Sequence, residues 1–131
     1  MIGLDTNVLL RFLVADDAAQ AAKVAALFER ATKADEPLFV SDSVLCETVW
    51  VLLQSYQLPR RQVASMLADL LRARQLTFAD SDSLRSALDA FVSGKGDFAD
   101  YLLREQASEL GCRTVATLDK ALLKEPGFTA P

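Results

Sequence analysis

The sequence predicts an α/β fold in which a short parallel sheet of four or five strands is flanked by helices on both faces. Short apolar segments alternate along the chain with longer segments whose apolar residues recur at helical spacing. Such alternation is typical of a parallel sheet covered by helices. The length of 131 residues fits one domain, which we place at residues 1–131.

Four apolar segments are predicted to be strands. They lie at residues 1–5, 37–40, 76–78 and 113–116. The segments between them carry helical periodicity and polar residues suited to helix starts. Predicted helices cover residues 8–14, 18–33, 44–56, 60–74, 81–92 and 98–110, with a short last helix at 119–124. Gly111 has the residue type that commonly ends a helix.

The composition excludes several classes of enzyme. The chain contains no histidine, which removes serine and cysteine nucleophile systems that depend on imidazole, and the common zinc sites. Acid–base and metal chemistry must therefore depend mainly on the 18 Asp and Glu residues. With 14 Lys and Arg the net charge is −4, which argues against a large basic surface for duplex nucleic acid.

Other features of the sequence bear on location and redox state. The N-terminus lacks a signal peptide and no apolar run approaches the roughly 20 residues that span a bilayer, so we expect a cytoplasmic protein without membrane contact. Cys46 and Cys112 lie among apolar neighbours, and we expect both to be reduced and buried.

Acidic residues follow two of the predicted strands. Asp5 comes after the first strand and Asp119 after the last. In parallel sheets the functional residues gather beyond the carboxyl ends of the strands. Each of these acids could instead begin a helix, since aspartate is a favoured N-cap. The same alternative applies to Asp97 and Asp100, which are three residues apart at the start of one helix.

Glu47 is harder to explain by helix capping. It lies within the apolar segment 44–53, which predicts a buried helix, and no Lys or Arg lies one turn away on that helix. A buried carboxylate is costly unless it is paired or bound to a cation, although an ion pair with another part of the chain stays possible. Several carboxylates at one sheet edge would need a cation, and all-oxygen ligands favour Mg²⁺ or Mn²⁺.

Four segments carry motifs in a fixed order along the chain. They are IGLDTNVLLR at 2–11, VLCETVWVL at 44–52, DFADYLL at 97–103, and Gly111-Cys112 followed by Thr117-Leu118-Asp119-Lys120 and Gly127-Phe128. In this order they resemble the motifs of PIN-domain ribonucleases of the VapC toxin family. The resemblance covers nearly the whole chain.

The resemblance implies roles for individual residues. It makes Asp5, Glu47, Asp100 and Asp119 the catalytic, metal-binding acids, with Asp97 either a further ligand or a helix cap. Thr6, Asn7 and Thr117 would orient the carboxylates by hydrogen bonds. Arg11, Lys95 and Lys120 lie near the acids in sequence and could hold substrate phosphates, although each could also be an ordinary solvated surface charge.

The resemblance also implies an activity and partners. The expected activity is hydrolysis of RNA phosphodiesters with one or two Mg²⁺ ions, Mn²⁺ being a possible substitute. The expected partners are an RNA substrate, a second copy of the chain, and a VapB-type antitoxin that blocks the site. The chain is expected to contact DNA only indirectly, through that antitoxin.

Other functions remain to be weighed against this one. A catalytically inactive PIN-like binding module and a PIN nuclease of RNA maturation both agree with the motifs. A phospho-acceptor receiver domain would need adjacent acids near the first strand and a mid-chain acceptor aspartate. A haloacid-type phosphohydrolase would need two acids spaced by one residue, where this chain has Asp5-Thr6-Asn7.

Overall fold

The computed structural model describes all 131 residues, which form two compact units. The first unit comprises Met1–Ala79 and the second Asp80–Pro131. None of the helices combines the length and apolar character that crossing a membrane requires.

The first unit contains three strands and four helices. Its strands are β1 (Ile2–Gly3), β2 (Leu38–Val40) and β3 (Leu76–Phe78). Its helices are α1 (Thr6–Leu13), α2 (Ala18–Lys33), α3 (Asp42–Gln54) and α4 (Arg60–Arg72). All seven agree with the sequence-based prediction within a few residues at each end.

The sheet of the first unit is parallel, with the strand order β1-β2-β3. Ile2 pairs with Leu38, which in turn pairs with Leu76. Leu38 and Val40 of the central strand are fully buried, and each helix presents a stripe of buried apolar residues. Since the strands point the same way, the residues that follow β1 and β2 leave the sheet at the same edge.

The second unit contains two helices and two strands. Its elements are α5 (Ser81–Ser93), α6 (Phe98–Glu109), β4 (Val115–Ala116), a 3₁₀ turn (Leu122–Lys124) and β5 (Phe128–Thr129). The two helices pack closely, and the rings of Phe91 and Phe98 meet edge to face with centroids 6.1 Å apart. The segment predicted as the last helix, at 119–124, forms only the single 3₁₀ turn and is shorter than expected.

The prediction of one sheet with four or five strands was wrong. Three strands form one parallel sheet, and β4 pairs with β5 in a separate two-stranded parallel sheet. The backbone N–H of Val115 donates to Gly127 and that of Thr117 donates to Thr129, each at 2.9 Å. The segment after Pro126 thus supplies β4 with its partner. It is too short and too mixed in composition to be predicted as a strand.

The cysteines are free, as expected, but they are not both buried. Cys46 is half-buried on α3, and burial, with the neighbouring charge of Asp42, raises the pKa of its thiol to about 11. Cys112 is exposed, because it follows Gly111 in the turn after α6, where φ is +89° and the chain leaves the helix.

Candidate functional site

Asp5 lies between β1 and α1, at the carboxyl edge of the first unit's sheet. Its backbone is extended, and its Oδ1 accepts a hydrogen bond from the backbone N–H of Val8 at 2.9 Å. The capping role expected from the sequence is therefore present. The carboxylate is nevertheless exposed, and Oδ2 has no hydrogen-bond partner in the protein. One oxygen of Asp5 stabilises the helix and the other is available to a ligand.

Glu47 lies on α3 and is joined to the residue that follows Asp5. The hydroxyl of Thr6 donates to Oε2 of Glu47 at 2.9 Å. Thr6 is the first residue of α1 and Glu47 is near the middle of α3, so the contact connects two separate helices. Thr6, which follows Asp5 directly in the chain, thus links the sequence-predicted residue Glu47 to the start of α1.

The expectation that Glu47 is buried was wrong. The buried residues of α3 are Leu45, Thr48, Val49 and Leu52. They form one stripe along the helix, and only that stripe contacts the core. Glu47 lies off the stripe and is exposed, and Trp50, one turn further on, is 57% exposed. The apolar composition of α3 therefore overstates its burial.

Asp97 and Asp100 meet at the start of α6 in the second unit. Asp97 occupies the N-cap position, and its backbone N–H donates to Oδ2 of Asp100 at 3.2 Å. Asp97 is exposed, whereas Asp100 is half-buried. The pair therefore has the capping arrangement expected from its spacing, and it directs one oxygen of Asp100 to the backbone.

Asp100 has an altered acidity. Desolvation by burial raises the pKa of its carboxyl above the ordinary value, and the negative charges of Asp97, Asp119 and Glu125 act in the same direction. The hydrogen bond from Asp97 opposes the shift only in part. Three further acids thus lie close enough to Asp100 to repel its charge, the condition in which a bound cation is favourable.

Asp119 follows β4 and is held by short-range hydrogen bonds. Its backbone N–H donates to the hydroxyl of Thr117 at 3.1 Å, and its Oδ1 accepts from the N–H of Ala121 at 2.8 Å. Thr117 therefore fixes the backbone of Asp119 rather than its carboxylate. The side chain of Asp119 is exposed.

Sequence reasoning missed the contribution of Tyr101 and Glu125. The fully buried Tyr101 hydroxyl donates to Oε1 of Glu125 at 2.6 Å and accepts from the N–H of Gly96 at 2.9 Å. Glu125 also accepts from the N–H of Lys95 at 3.0 Å. These bonds fasten the Gly94–Gly96 loop, which leads directly into Asp97. Nothing in the sequence around Glu125 distinguishes it from other surface acids.

The remaining predicted residues have mixed surroundings. Asn7 is exposed and makes no side-chain hydrogen bond, so the structure gives it no contact with a carboxylate. Arg11 forms an ion pair with Asp16 at 2.6 Å. Lys95 and Lys120 are exposed and form no ion pair.

The candidate ligands fit a hard divalent cation by their chemistry. Asp5, Glu47, Asp100 and Asp119 are all carboxylates, and none of the four forms an ion pair with Lys or Arg. Oxygen donors of this kind suit Mg²⁺. The structure contains no group of three or more acidic or Cys side chains assembled to hold an ion. The candidate ligands instead occur as Asp5 with Glu47 in the first unit, and Asp100 with Asp119 in the second.

The chain is similar in sequence to known proteins. The PIN domain family model matches residues 2–127. Among curated proteins, the chain is similar to a VapC ribonuclease of Aquifex aeolicus (strain VF5), with 26% identity over 125 residues. That alignment covers 95% of this chain and 91% of the relative.

Proposed function

Because the chain belongs to the PIN domain family, we propose that it is a metal-dependent endoribonuclease, the toxin of a VapBC-type toxin–antitoxin pair. The observation that carries the proposal is the state of the four motif carboxylates. None is neutralised by an ion pair with Lys or Arg, and the pKa of Asp100 is raised by burial and by nearby acids. The similarity to a VapC ribonuclease supports the same activity.

In this proposal the ligands of one or two Mg²⁺ ions are Asp5, Glu47, Asp100 and Asp119, with Mn²⁺ as a possible substitute. When bound, the metal would polarise the scissile phosphate, acidify a water and stabilise the leaving oxygen. Asp97 stays a capping residue that positions Asp100, as the hydrogen bond between them supports.

The protein's own residues have defined tasks in the hydrolysis. Thr6 holds Oε2 of Glu47 and so limits the orientations available to that carboxylate. A carboxylate must position or deprotonate the attacking water, since the chain has no histidine. Asp100 is one candidate for this role, because it is half-buried at the start of α6 and lies near Asp97 and Asp119. Asp119 is the other candidate. Lys95 and Lys120, both without ion pairs, are candidates to hold RNA phosphates.

The proposed partners are an RNA substrate, a VapB-type antitoxin and a second copy of the chain, in the cytoplasm. Exposed apolar side chains support protein partners. Phe12 and Trp50 of the first unit are 42% and 57% exposed, and Val92 and Leu103 of the second are 64% and 52% exposed. Light scattering of the purified chain, with and without Trp50→Ser, would measure the oligomeric state and the contribution of α3.

The activity is tested with purified, partner-free protein and total RNA, in Mg²⁺, in Mn²⁺ and in chelator. We expect discrete fragments that require metal and are absent with Asp5→Asn or Asp119→Asn. Asn can accept the same backbone hydrogen bonds at both positions, so folding should be preserved. Asp89→Asn, an exposed acid on α5 outside the motifs, is the matched control.

Two results would contradict the proposal. Well-folded wild-type protein that cuts no RNA with either metal would favour an inactive binding module. Cleavage that is unchanged in both Asp5→Asn and Asp119→Asn would remove these two carboxylates from the mechanism. End mapping of the fragments would identify the RNA and the cleaved bond.

A further inference from the structure

A groove of about 370 Å³ lies between α1 and α2 of the first unit, with Asp5 on its wall. Its volume falls within the range of about 300–1,000 Å³ that is usual for small-ligand sites. A residue of the proposed active site therefore forms part of the wall of the groove. Neither the capping role of Asp5 nor its proposed metal contact accounts for the groove.

Lys23 brings an unpaired positive charge to this groove. It is exposed on α2, lines the groove and forms no ion pair. Lys33, on the same helix, has a different environment, because its Nζ lies 2.8 Å from Oε1 of Glu29. Lys23 therefore brings an unpaired charge to the groove lining, whereas Lys33 lies outside that lining and is already paired.

Arg11 contributes a second cation, and the protein holds it in position. Its Nε donates to Gln20 at 2.8 Å, and its Nη1 donates to Asp16 at 2.6 Å and to Tyr56 at 2.9 Å. The Tyr56 hydroxyl donates in turn to Asp16 at 2.9 Å. Nη2 makes no hydrogen bond within the protein. The network thus fixes the planar guanidinium and leaves the two N–H groups of Nη2 for a ligand.

The remainder of the lining is apolar or neutral. Val24 is buried and Val8 is half-buried, while Asn7 offers an amide without a side-chain partner. A ligand that suits these walls has an anionic group for the two cations and a less polar body for the valines. A nucleotide within an RNA strand has both, in its phosphate and in its sugar and base.

We propose that the α1–α2 groove binds one nucleotide of the RNA strand beside the scissile phosphate, with Lys23 and Nη2 of Arg11 contacting its phosphate. This inference rests on the proposed ribonuclease function, in which Asp5 on the groove wall takes part in RNA cleavage. It assigns Lys23 to substrate binding and not to chemistry or metal binding.

The test is steady-state cleavage of a short single-stranded RNA that the wild type cuts, at several salt concentrations. Lys23→Met removes the charge and keeps the length of the side chain. Lys23→Arg restores the charge, and Lys33→Met is the control on the same helix. We expect Lys23→Met to raise KM about three- to fivefold, as for one exposed ionic contact, with kcat unchanged. The salt dependence of binding should weaken by roughly 0.7 in its logarithmic slope.

The outcomes separate this inference from the proposed function. Recovery of KM in Lys23→Arg, with a wild-type KM in Lys33→Met, would support the groove. Equal effects of Lys23→Met and Lys33→Met, or a Lys23→Met enzyme identical to wild type, would overturn the groove while leaving the ribonuclease activity intact. Wild-type protein that cuts no RNA would overturn both.

Discussion

The Thr6 hydroxyl and the Glu47 carboxylate lie 2.9 Å apart and connect α1 to α3. Glu47 is exposed and has no cationic neighbour, so this hydrogen bond is the contact that restricts its side chain. The bond occupies Oε2 and leaves Oε1 without a protein partner. Thr6 therefore orients a carboxylate while keeping one of its oxygens accessible.

Replacing Thr6 by Val should weaken metal binding while preserving the fold. Val has the shape of Thr without the donor, so Glu47 would lose its orienting bond. Loss of such a partner commonly lowers metal affinity about 10- to 100-fold. Isothermal titration with Mn²⁺ measures the change. Thr6→Ser retains the hydroxyl and should bind Mn²⁺ nearly as wild type. Equal affinities for all three proteins would contradict the role of Thr6.

Replacing Gly94 by Ala should destabilise the second unit. A Cβ at Gly94 would overlap the Tyr101 hydroxyl and would lie 2.8 Å from both the Ala90 carbonyl and Oε1 of Glu125. Forced repacking of this kind costs about 1–3 kcal/mol, measurable by urea unfolding. Gly3→Ala is the control, because no atom lies within 4 Å of its added Cβ. Comparable losses for both variants would indicate a general cost of replacing glycine.

Replacing Tyr101 by Phe should destabilise the protein through the loss of two buried hydrogen bonds. The hydroxyl joins the N–H of Gly96 to Oε1 of Glu125. We expect a loss of about 1–3 kcal/mol in the free energy of unfolding. Tyr56→Phe removes a more accessible hydroxyl and should cost less. A Tyr101→Phe protein with wild-type stability would show that the Gly94–Gly96 loop is held by other contacts.

Replacing Asp100 by Asn should stabilise the metal-free protein at neutral pH. Burial and neighbouring acids raise the pKa of Asp100, so the Asp100 carboxyl holds its proton more tightly in the folded state than in the unfolded state. The resulting stabilisation is complete below the unfolded pKa of about 3.9 and is lost as pH rises through the higher folded pKa. Asn stays uncharged and can still accept from Asp97.

Calorimetry in chelator between pH 4 and pH 7 checks this dependence. The Tm of Asp100→Asn relative to wild type should rise across that range. Added Mg²⁺ should then raise the Tm of the wild type more than that of Asp100→Asn at pH 7, because the variant lacks one of the proposed ligand charges. A Tm difference that is constant with pH would contradict the raised pKa.

Local sequence signals predicted most of the secondary structure. Helix starts followed from Asp5 and Asp97, each of which occupies an N-cap position. Residues 128–129 could not be predicted in the same way, because a two-residue strand has no periodicity and depends on its partner β4. The division into two sheets therefore became visible only in the structure.

The candidate site was predicted in its residue types but not in its surroundings. Apolar composition suggested a buried Glu47, yet only one stripe of α3 contacts the core. Glu125 could not be found, because its place beside Asp100 and Tyr101 depends on tertiary packing between parts of the chain that are far apart in sequence. Lys23 was missed for the same reason, since only the pairing of α1 with α2 places it near Asp5.

The two oxygens of Asp5 have separate uses, and natural variation at this position can change one without the other. Oδ1 accepts the N–H that begins α1, a task that asparagine performs about as well as aspartate. A descendant that carries the change Asp5→Asn would therefore keep its helix, its fold and its recognisable motif while losing the charge. Families built in this way are expected to include well-folded members that keep the helix and lack the carboxylate, and they can be sought by the chemistry of this one side chain.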